Sequence, residues 1–170
     1  MKNILCCAPL CVLFVLQSPT TSIACGSKFL VKNGTVKKSQ CYSTAKTGAI
    51  LMYRDPNVKA AENALGKDMQ RTLSNVGHNV RVVDSRQEFE SAIRNDVFDV
   101  ILSGYSDCQD AEKILRDAGK KAKIVPVVDK ENEVELKAAR ERYGNIINDG
   151  DKTSTKVLTV GEVLLEAGTK

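Results

Sequence analysis

Four aspartates each come shortly after an apolar run that has the pattern of a buried strand: Asp55, Asp107, Asp129 and Asp149. If these runs are parallel strands, their carboxyl ends meet at one edge of a sheet. Carboxylate oxygens are the ligands that Mg²⁺ and Ca²⁺ prefer, so an acidic crevice that binds a divalent cation or a small ligand is one interpretation. The other is that these residues form turns and caps, because Asp readily hydrogen-bonds nearby backbone. The sequence leaves both open.

The N-terminal segment has the pattern of a secretory signal. Residues 1–24 combine a positive start, an apolar run over 4–16 and small residues at Ser22 and Ala24, and such a signal is removed on export. The run is shorter than the roughly 17–25 residues that span a bilayer. Cleavage after Ala24 would make Cys25 the first residue, and the four residues 22–25 loosely match the bacterial lipoprotein box. Ser22 in place of the usual Leu favours an ordinary signal peptidase. We expect a periplasmic or secreted protein, membrane-anchored only if Cys25 carries lipid.

Three of the six cysteines lie beyond this signal: Cys25, Cys41 and Cys108. Export would allow disulfides, and an odd number leaves one cysteine free, lipidated or paired between chains. Cys25–Cys41 is the bridge with the shortest loop; if Cys25 is lipidated, Cys41 and Cys108 remain as a pair or as free thiols. A thiol-based redox role is therefore one alternative. With His78 as the only histidine, a zinc site lacks its ligands, and the sequence predicts His78 to be an exposed residue at a helix end.

Composition limits the class of protein. The chain has 170 residues, 42% of them hydrophobic and 27% charged, which suits one globular domain and excludes collagen-like, low-complexity and disulfide-dense chains. A net charge of +4 is too small to indicate a nucleic-acid partner. Lys120, Lys121 and Lys123 have the pattern of a solvated helix end, with an anion-binding patch as the alternative.

Five apolar segments alternate with helical patterns from residue 49 onward. The strands are predicted at 49–53, 80–83, 97–102, 124–128 and 144–147, and a capping box at Ser85 begins one of the helices. Such alternation predicts a doubly wound parallel sheet of order 2-1-3-4-5, with helices on both faces. We therefore divide the chain into a signal (1–24), an extension with a hairpin at Asn33-Gly34 (25–48) and an α/β domain (49–170).

Several segments of this domain resemble a bacterial response-regulator receiver domain, which has the flavodoxin-like fold. The resemblance lies in residues 50–56, with one acidic residue at the end of the first strand, in 77–80, in 98–103 and in 124–128. The opening Cys-Gly-Ser-Lys-Phe-Leu at 25–30 is similar to that of a group of exported receiver-like proteins.

The residues that carry receiver chemistry are missing from this sequence. Receivers phosphorylate an aspartate after the third strand, with Mg²⁺ held by an acidic pair; the matching positions here are Gly104, and Arg54 beside Asp55. The resemblance also calls for a hydroxyl residue after the fourth strand and a lysine after the fifth, and 129–130 and 148–150 supply neither. It therefore implies a degenerate receiver, unable to accept phosphate at the usual position.

The sequence thus favours an exported, non-catalytic module that binds an unidentified protein in the cell envelope, without a cofactor. By analogy with receivers, the surfaces around Tyr143 and Val157 are candidate contacts. The alternatives are a domain, enzymatic or not, that binds a metal (Mg²⁺) or a small ligand in the acidic crevice, and a thiol-based role.

Overall fold

The chain divides into two compact units, Met1–Cys41 and Tyr42–Lys170. The structure, a computed structural model, describes residues 29–32, 35–38 and 47–167. In the first unit, β1 (Phe29–Lys32) and β2 (Thr35–Lys38) pair antiparallel with Lys32 opposite Thr35. These are the strands that the intervening Asn-Gly pair predicts, because both residues accept the backbone angles of a tight hairpin turn.

The second unit contains a five-stranded sheet in which every described strand pair is parallel. Its strands are β3 (Ala49–Tyr53), β4 (Asn79–Val83), β5 (Val100–Gly104), β6 (Lys123–Val128) and β7 (Ile147–Asn148). Their order is β4-β3-β5-β6-β7, which is 2-1-3-4-5 when the strands of this sheet are counted alone. The predicted flavodoxin-like α/β fold is therefore confirmed.

Helices cover both faces of the sheet, as a parallel sheet requires. The described helices are α1 (Lys59–Ala64), α2 (Lys67–Asn75), α3 (Arg86–Asn95), α4 (Tyr105–Asp117), α5 (Glu133–Tyr143) and α6 (Thr153–Ala167). α1, α2 and α6 pack on one face, and α3 and α4 pack on the other, with α5 alongside α4. Gly66 separates α1 from α2, as its poor helix propensity predicts.

The central strands are apolar on both sides, and their side chains alternate between two cores. In β3, Ile50 and Met52 join the core beneath α1, α2 and α6, whereas Leu51 and Tyr53 join the core beneath α3 and α4. This alternation follows from the two-residue period of a strand. It fixes which residue of each strand end faces which helix layer, and so positions the crevice at the carboxyl edge.

His78 is buried, so the prediction of an exposed helix-end residue is wrong. Gly77 does end α2 in the left-handed region, with φ of +97°, and the His78 N–H donates to Leu73 O at 3.1 Å. The residue, however, is only 8% exposed, and its ring Nδ1 accepts a hydrogen bond from the Gly48 N–H at 3.2 Å. Burial lowers the pKa of His78. His78 lies just before β4, and its ring supplies the acceptor for the backbone N–H of Gly48, which lies just before β3.

The last strand is shorter and later than the predicted 144–147. Gly144 has φ of +73° and ends α5, and its N–H donates to Arg140 O at 3.0 Å. Only Ile147 and Asn148 pair with β6, opposite Val127 and Val128. The apolar residues 146–147 indicated the strand, but Gly144 ends α5 and does not belong to this strand.

Candidate functional site

Gly104 lies at the carboxyl end of β5, and α4 begins at the next residue. A Cβ atom at this position would lie 3.0 Å from Cγ1 of Val58 and 3.2 Å from Oδ2 of Asp107. Both distances are closer than ordinary van der Waals contact. The space that a side chain at position 104 would need is therefore occupied by its neighbours.

Asp107, in the first turn of α4, holds a carboxylate in that space. Its side chain is 6% exposed, and Oδ1 lies 3.3 Å from an Arg86 guanidinium nitrogen. Oδ2 is buried and has no hydrogen-bond partner in the structure. Burial, followed by the negative charge of Asp55, raises the pKa of Asp107 to about 6, and Arg86 opposes this increase. Asp107 is thus a buried acid that can exchange a proton near neutral pH.

Arg86 is shared among three carboxylates. It is the first residue of α3, and the Ser85 side chain caps this helix by accepting a hydrogen bond from the Glu88 N–H at 3.3 Å, as the capping box predicts. The guanidinium lies 2.5 Å from Asp110 and 3.0 Å from Glu90. Its 3.3 Å contact with Asp107 is the longest of the three, so Arg86 compensates this buried charge only in part.

Asp55 acts mainly on the turn that follows β3. Its Oδ1 accepts hydrogen bonds from the backbone N–H of Asn57 at 2.8 Å and from the Asn57 side-chain amide at 2.9 Å. Tyr53 stacks on Phe89 with ring centroids 4.3 Å apart. Burial, then the charges of Asp55 and Asp107, raise the pKa of the Tyr53 hydroxyl to about 12. Asp55 and Asp107 therefore influence one shared environment around Tyr53.

Asp129 and Asp149 have the turn roles that were the alternative to metal binding. Oδ1 of Asp129 accepts from the Glu131 N–H at 2.9 Å, and Oδ1 of Asp149 accepts from the Lys130 N–H at 3.0 Å. Over the described residues, which include all four predicted aspartates, no group of three or more acidic, histidine or cysteine side chains could hold a metal ion. Arg86, 3.3 Å from Asp107, already places a cation against that carboxylate.

Lys156 is a buried cation at this edge that sequence alignment with receivers does not identify. Its Nζ donates to the carbonyl oxygen of Asp149 at 2.9 Å, and burial lowers its pKa. The residue comes from α6 rather than from the loop after the last strand. Lys156 is spaced four and seven residues from Val160 and Val163, which belong to the core, so it lies on the buried face of the helix. This spacing is the sequence feature that could have predicted its burial.

Cys108 is not suited to thiol chemistry. It is fully buried and free, and its Sγ donates to Gly104 O at 3.3 Å. Burial raises the pKa of the thiol to about 12, so the reactive thiolate is scarce at neutral pH. The other two candidates for a disulfide or for lipidation, Cys25 and Cys41, lie outside the described residues, as does the predicted signal with its cleavage site after Ala24.

The two residues expected at contact surfaces lie on opposite faces of the sheet. Tyr143 ends α5 and makes an edge-to-face contact with Tyr105, with ring centroids 6.4 Å apart. Val157 belongs to α6 and is half-buried against the core under α1 and α2.

A shallow cleft of about 310 Å³ lies at the carboxyl edge between α1, α4 and the start of α5. Val58, Lys59, Tyr105, Asp129 and Glu135 are among the residues that line it. Asp107 is not among them, which agrees with its burial.

Comparisons with protein-family models, curated proteins and solved structures give no match to this chain. None of the helices in the described residues has the length and apolar character needed to cross a membrane.

Proposed function

We propose that this protein is a non-catalytic, receiver-like module that is exported and binds another protein in the cell envelope. The observation that carries the proposal is the closed space at Gly104, where Val58 and Asp107 lie within 3.0 and 3.2 Å of the position of a Cβ atom. A receiver must present an accessible carboxylate there to a phosphate donor.

Asp107 does not replace the missing acceptor. A phosphoryl group is larger than the carboxylate that it modifies, and it needs cations around its oxygens. Asp107 is 6% exposed, and the Oδ2 atom that would attack is buried. Transfer to this oxygen would require the packing of α1 against the end of β5 to open.

The rest of the scaffold supports a role in recognition. The sheet keeps its five strands and both helix layers, so it can present a surface in a fixed shape without any chemistry at the crevice. The N-terminal signal pattern at 1–24 supports a location in the envelope or outside the cell.

The loss of phosphate acceptance is tested with the purified full chain, Mg²⁺ and acetyl phosphate, followed by intact mass measurement. We expect no phosphoryl adduct. An acid-stable, base-labile adduct that disappears in Asp107→Asn would refute the proposal. Calorimetry with Mg²⁺ belongs to the same test, because micromolar binding that Asp55→Ala abolishes would instead support the metal-binding alternative.

The binding role is tested by placing a photo-crosslinking amino acid at single exposed positions of the full chain in its source cells. We expect discrete adducts with a protein from some positions and none from others. Absence of protein adducts from every exposed helix face would contradict the proposal.

A further inference from the structure

A groove of about 530 Å³ lies between α4, α5 and the beginning of β6. The groove lies at the amino ends of the strands, because Lys123 is the first residue of β6, whereas Gly104 lies at their carboxyl ends. Its cationic lining residues are Arg116, Lys120, Lys121, Lys123 and Arg142. The only acidic residue lining the described groove is Glu112. The groove therefore carries a strong excess of positive charge.

Two of these cations already have partners. Arg142 forms an ion pair with Glu112 at 2.5 Å. Lys120 donates from Nζ to the carbonyl oxygens of Arg94 and Asp96, each at 2.6 Å, and so caps the end of α3. The negative charge of Glu112 is therefore already paired with Arg142.

The remaining three cations have no partner within the described part of the chain. Arg116, Lys121 and Lys123 are exposed, and their side chains make no hydrogen bond or ion pair with any described residue. Like charges held on one concave surface repel one another, and an anion bound among them relieves this repulsion. The groove is thus complementary to a ligand with several negative charges.

The groove also has an apolar floor. Leu115 is buried and Ile124 half-buried, and both line it together with the ring of Tyr143. The Tyr143 hydroxyl is buried without a hydrogen-bond partner, and the Arg142 guanidinium lies 5.4 Å from the centre of its ring. An apolar side chain between two carboxylates would fit this combination of floor and rim.

We propose that the groove binds an acidic segment of a partner polypeptide. The segment's carboxylates contact Arg116, Lys121 and Lys123, and an apolar side chain rests on Leu115 and Ile124. This inference rests on the proposed function, since it specifies the partner of that binding module.

A polypeptide suits the groove better than other anions. Single-stranded nucleic acids bind through exposed aromatic faces on which bases stack, whereas Tyr143 is half-buried with its hydroxyl inside. An anionic membrane is a broad surface, and it would reach the rim of a concave groove but not its apolar floor. A peptide supplies both carboxylates and apolar side chains within one short segment.

The experiment pans a phage library of random short peptides on the purified full chain. We expect the selected peptides to be enriched in Asp and Glu. A labelled acidic peptide from the selection is then titrated against Arg116→Glu/Lys121→Glu/Lys123→Glu. Since exposed ion pairs contribute modestly and add up over three sites, we expect at least a tenfold loss of affinity, and weaker binding as salt is added.

The matched control carries the same change of charge on the other face of the sheet, as Lys67→Glu/Arg71→Glu/Lys152→Glu, and should change affinity less than twofold. Equal losses in both variants, or selected peptides without acidic enrichment, would overturn the inference. So would groove-dependent binding of oligothymidylate or phosphatidylglycerol vesicles where the acidic peptides do not bind. If circular dichroism shows that the charge reversal unfolds the chain, Lys121→Gln/Lys123→Gln replaces it, with Lys67→Gln/Lys152→Gln as its control.

The two proposals fail in different ways. Protein crosslinks from positions remote from the groove, together with no groove-dependent peptide binding, would remove this inference and keep the binding module. A phosphoryl adduct on the carboxyl edge would refute the non-catalytic function, whatever the groove binds. If the experiments give neither protein crosslinks nor peptide binding, both proposals are refuted.

Discussion

Replacing Asp107 with asparagine should change how the stability of the protein depends on pH. The pKa of Asp107 rises from 3.8 to about 6 on folding, so the folded state binds more protons than the unfolded state between these two values. The stability that the protonated acid contributes is present below about pH 4 and is lost as the pH rises through about 6. Asparagine neither binds nor releases a proton in this range, so the variant lacks this pH-dependent loss of stability.

The magnitude follows from the same shift. One pKa unit corresponds to about 1.36 kcal/mol, so the titration of Asp107 changes the free energy of unfolding by about 2–3 kcal/mol between pH 4 and pH 8. Burial is the largest cause of this shift; the charges of Asp55 and Asp110 add to it and that of Arg86 opposes it.

The assay is urea unfolding followed by circular dichroism at about pH 4, 6 and 8. The free energy of unfolding of Asp107→Asn, relative to the original chain, should increase by about 2–3 kcal/mol over this range. Asp110→Asn is the matched control, because Asp110 contacts the same guanidinium at 2.5 Å but is 52% exposed; its change should stay within about 0.5 kcal/mol. A difference that does not vary with pH, or that decreases toward pH 8, would refute the argument that Asp107 is buried and poorly paired.

Two further substitutions test the packing and the corrected histidine. Gly104→Ala should lower the free energy of unfolding by about 1–3 kcal/mol, because its Cβ would lie 3.0 Å from Cγ1 of Val58. Adding Val58→Ala to the same chain should recover part of the lost stability. An unchanged melting temperature of the single variant would argue against the closed space. His78→Asn keeps an acceptor for the Gly48 N–H. Because the pKa of His78 is lowered on folding, the original chain loses stability as the pH falls below about 6.5, and the variant should lose less between pH 7 and 5 in the same unfolding assay.

Periodicity was sufficient to predict the fold because the strands of a doubly wound sheet are buried on both faces. Runs such as residues 49–53 stand out from the amphipathic helices around them, and right-handed crossovers leave few strand orders. Boundaries were harder to predict where one residue suits two elements. Gly144 could begin a strand loop or end a helix, and its φ of +73° shows that it ends the helix.

The candidate site was predicted only in part, because its chemistry depends on side-chain burial. The four aspartates do follow strands, but Asp129 and Asp149 serve turns, and only Asp107 is buried. Arg86 and Lys156 did not emerge as members of this edge, because each comes from a helix rather than from the loops that a receiver uses. A sequence pattern gives the element of a charged residue but not the direction in which its long side chain extends.

The position of Asp107 connects the closed crevice to the proposed binding surface. Because α4 begins directly after Gly104, residue 107 lies one helical turn further on, and its carboxylate returns to the end of β5. A side chain at 104 would meet Val58 and Asp107 within 3.0 and 3.2 Å of its Cβ, and the acid at 107 is itself only 6% exposed. The carboxyl edge therefore keeps a carboxylate but loses access to it. The groove proposed as a binding surface begins at the start of β6, at the opposite end of the strands, where ligand binding needs no rearrangement of Gly104, Val58 or Asp107.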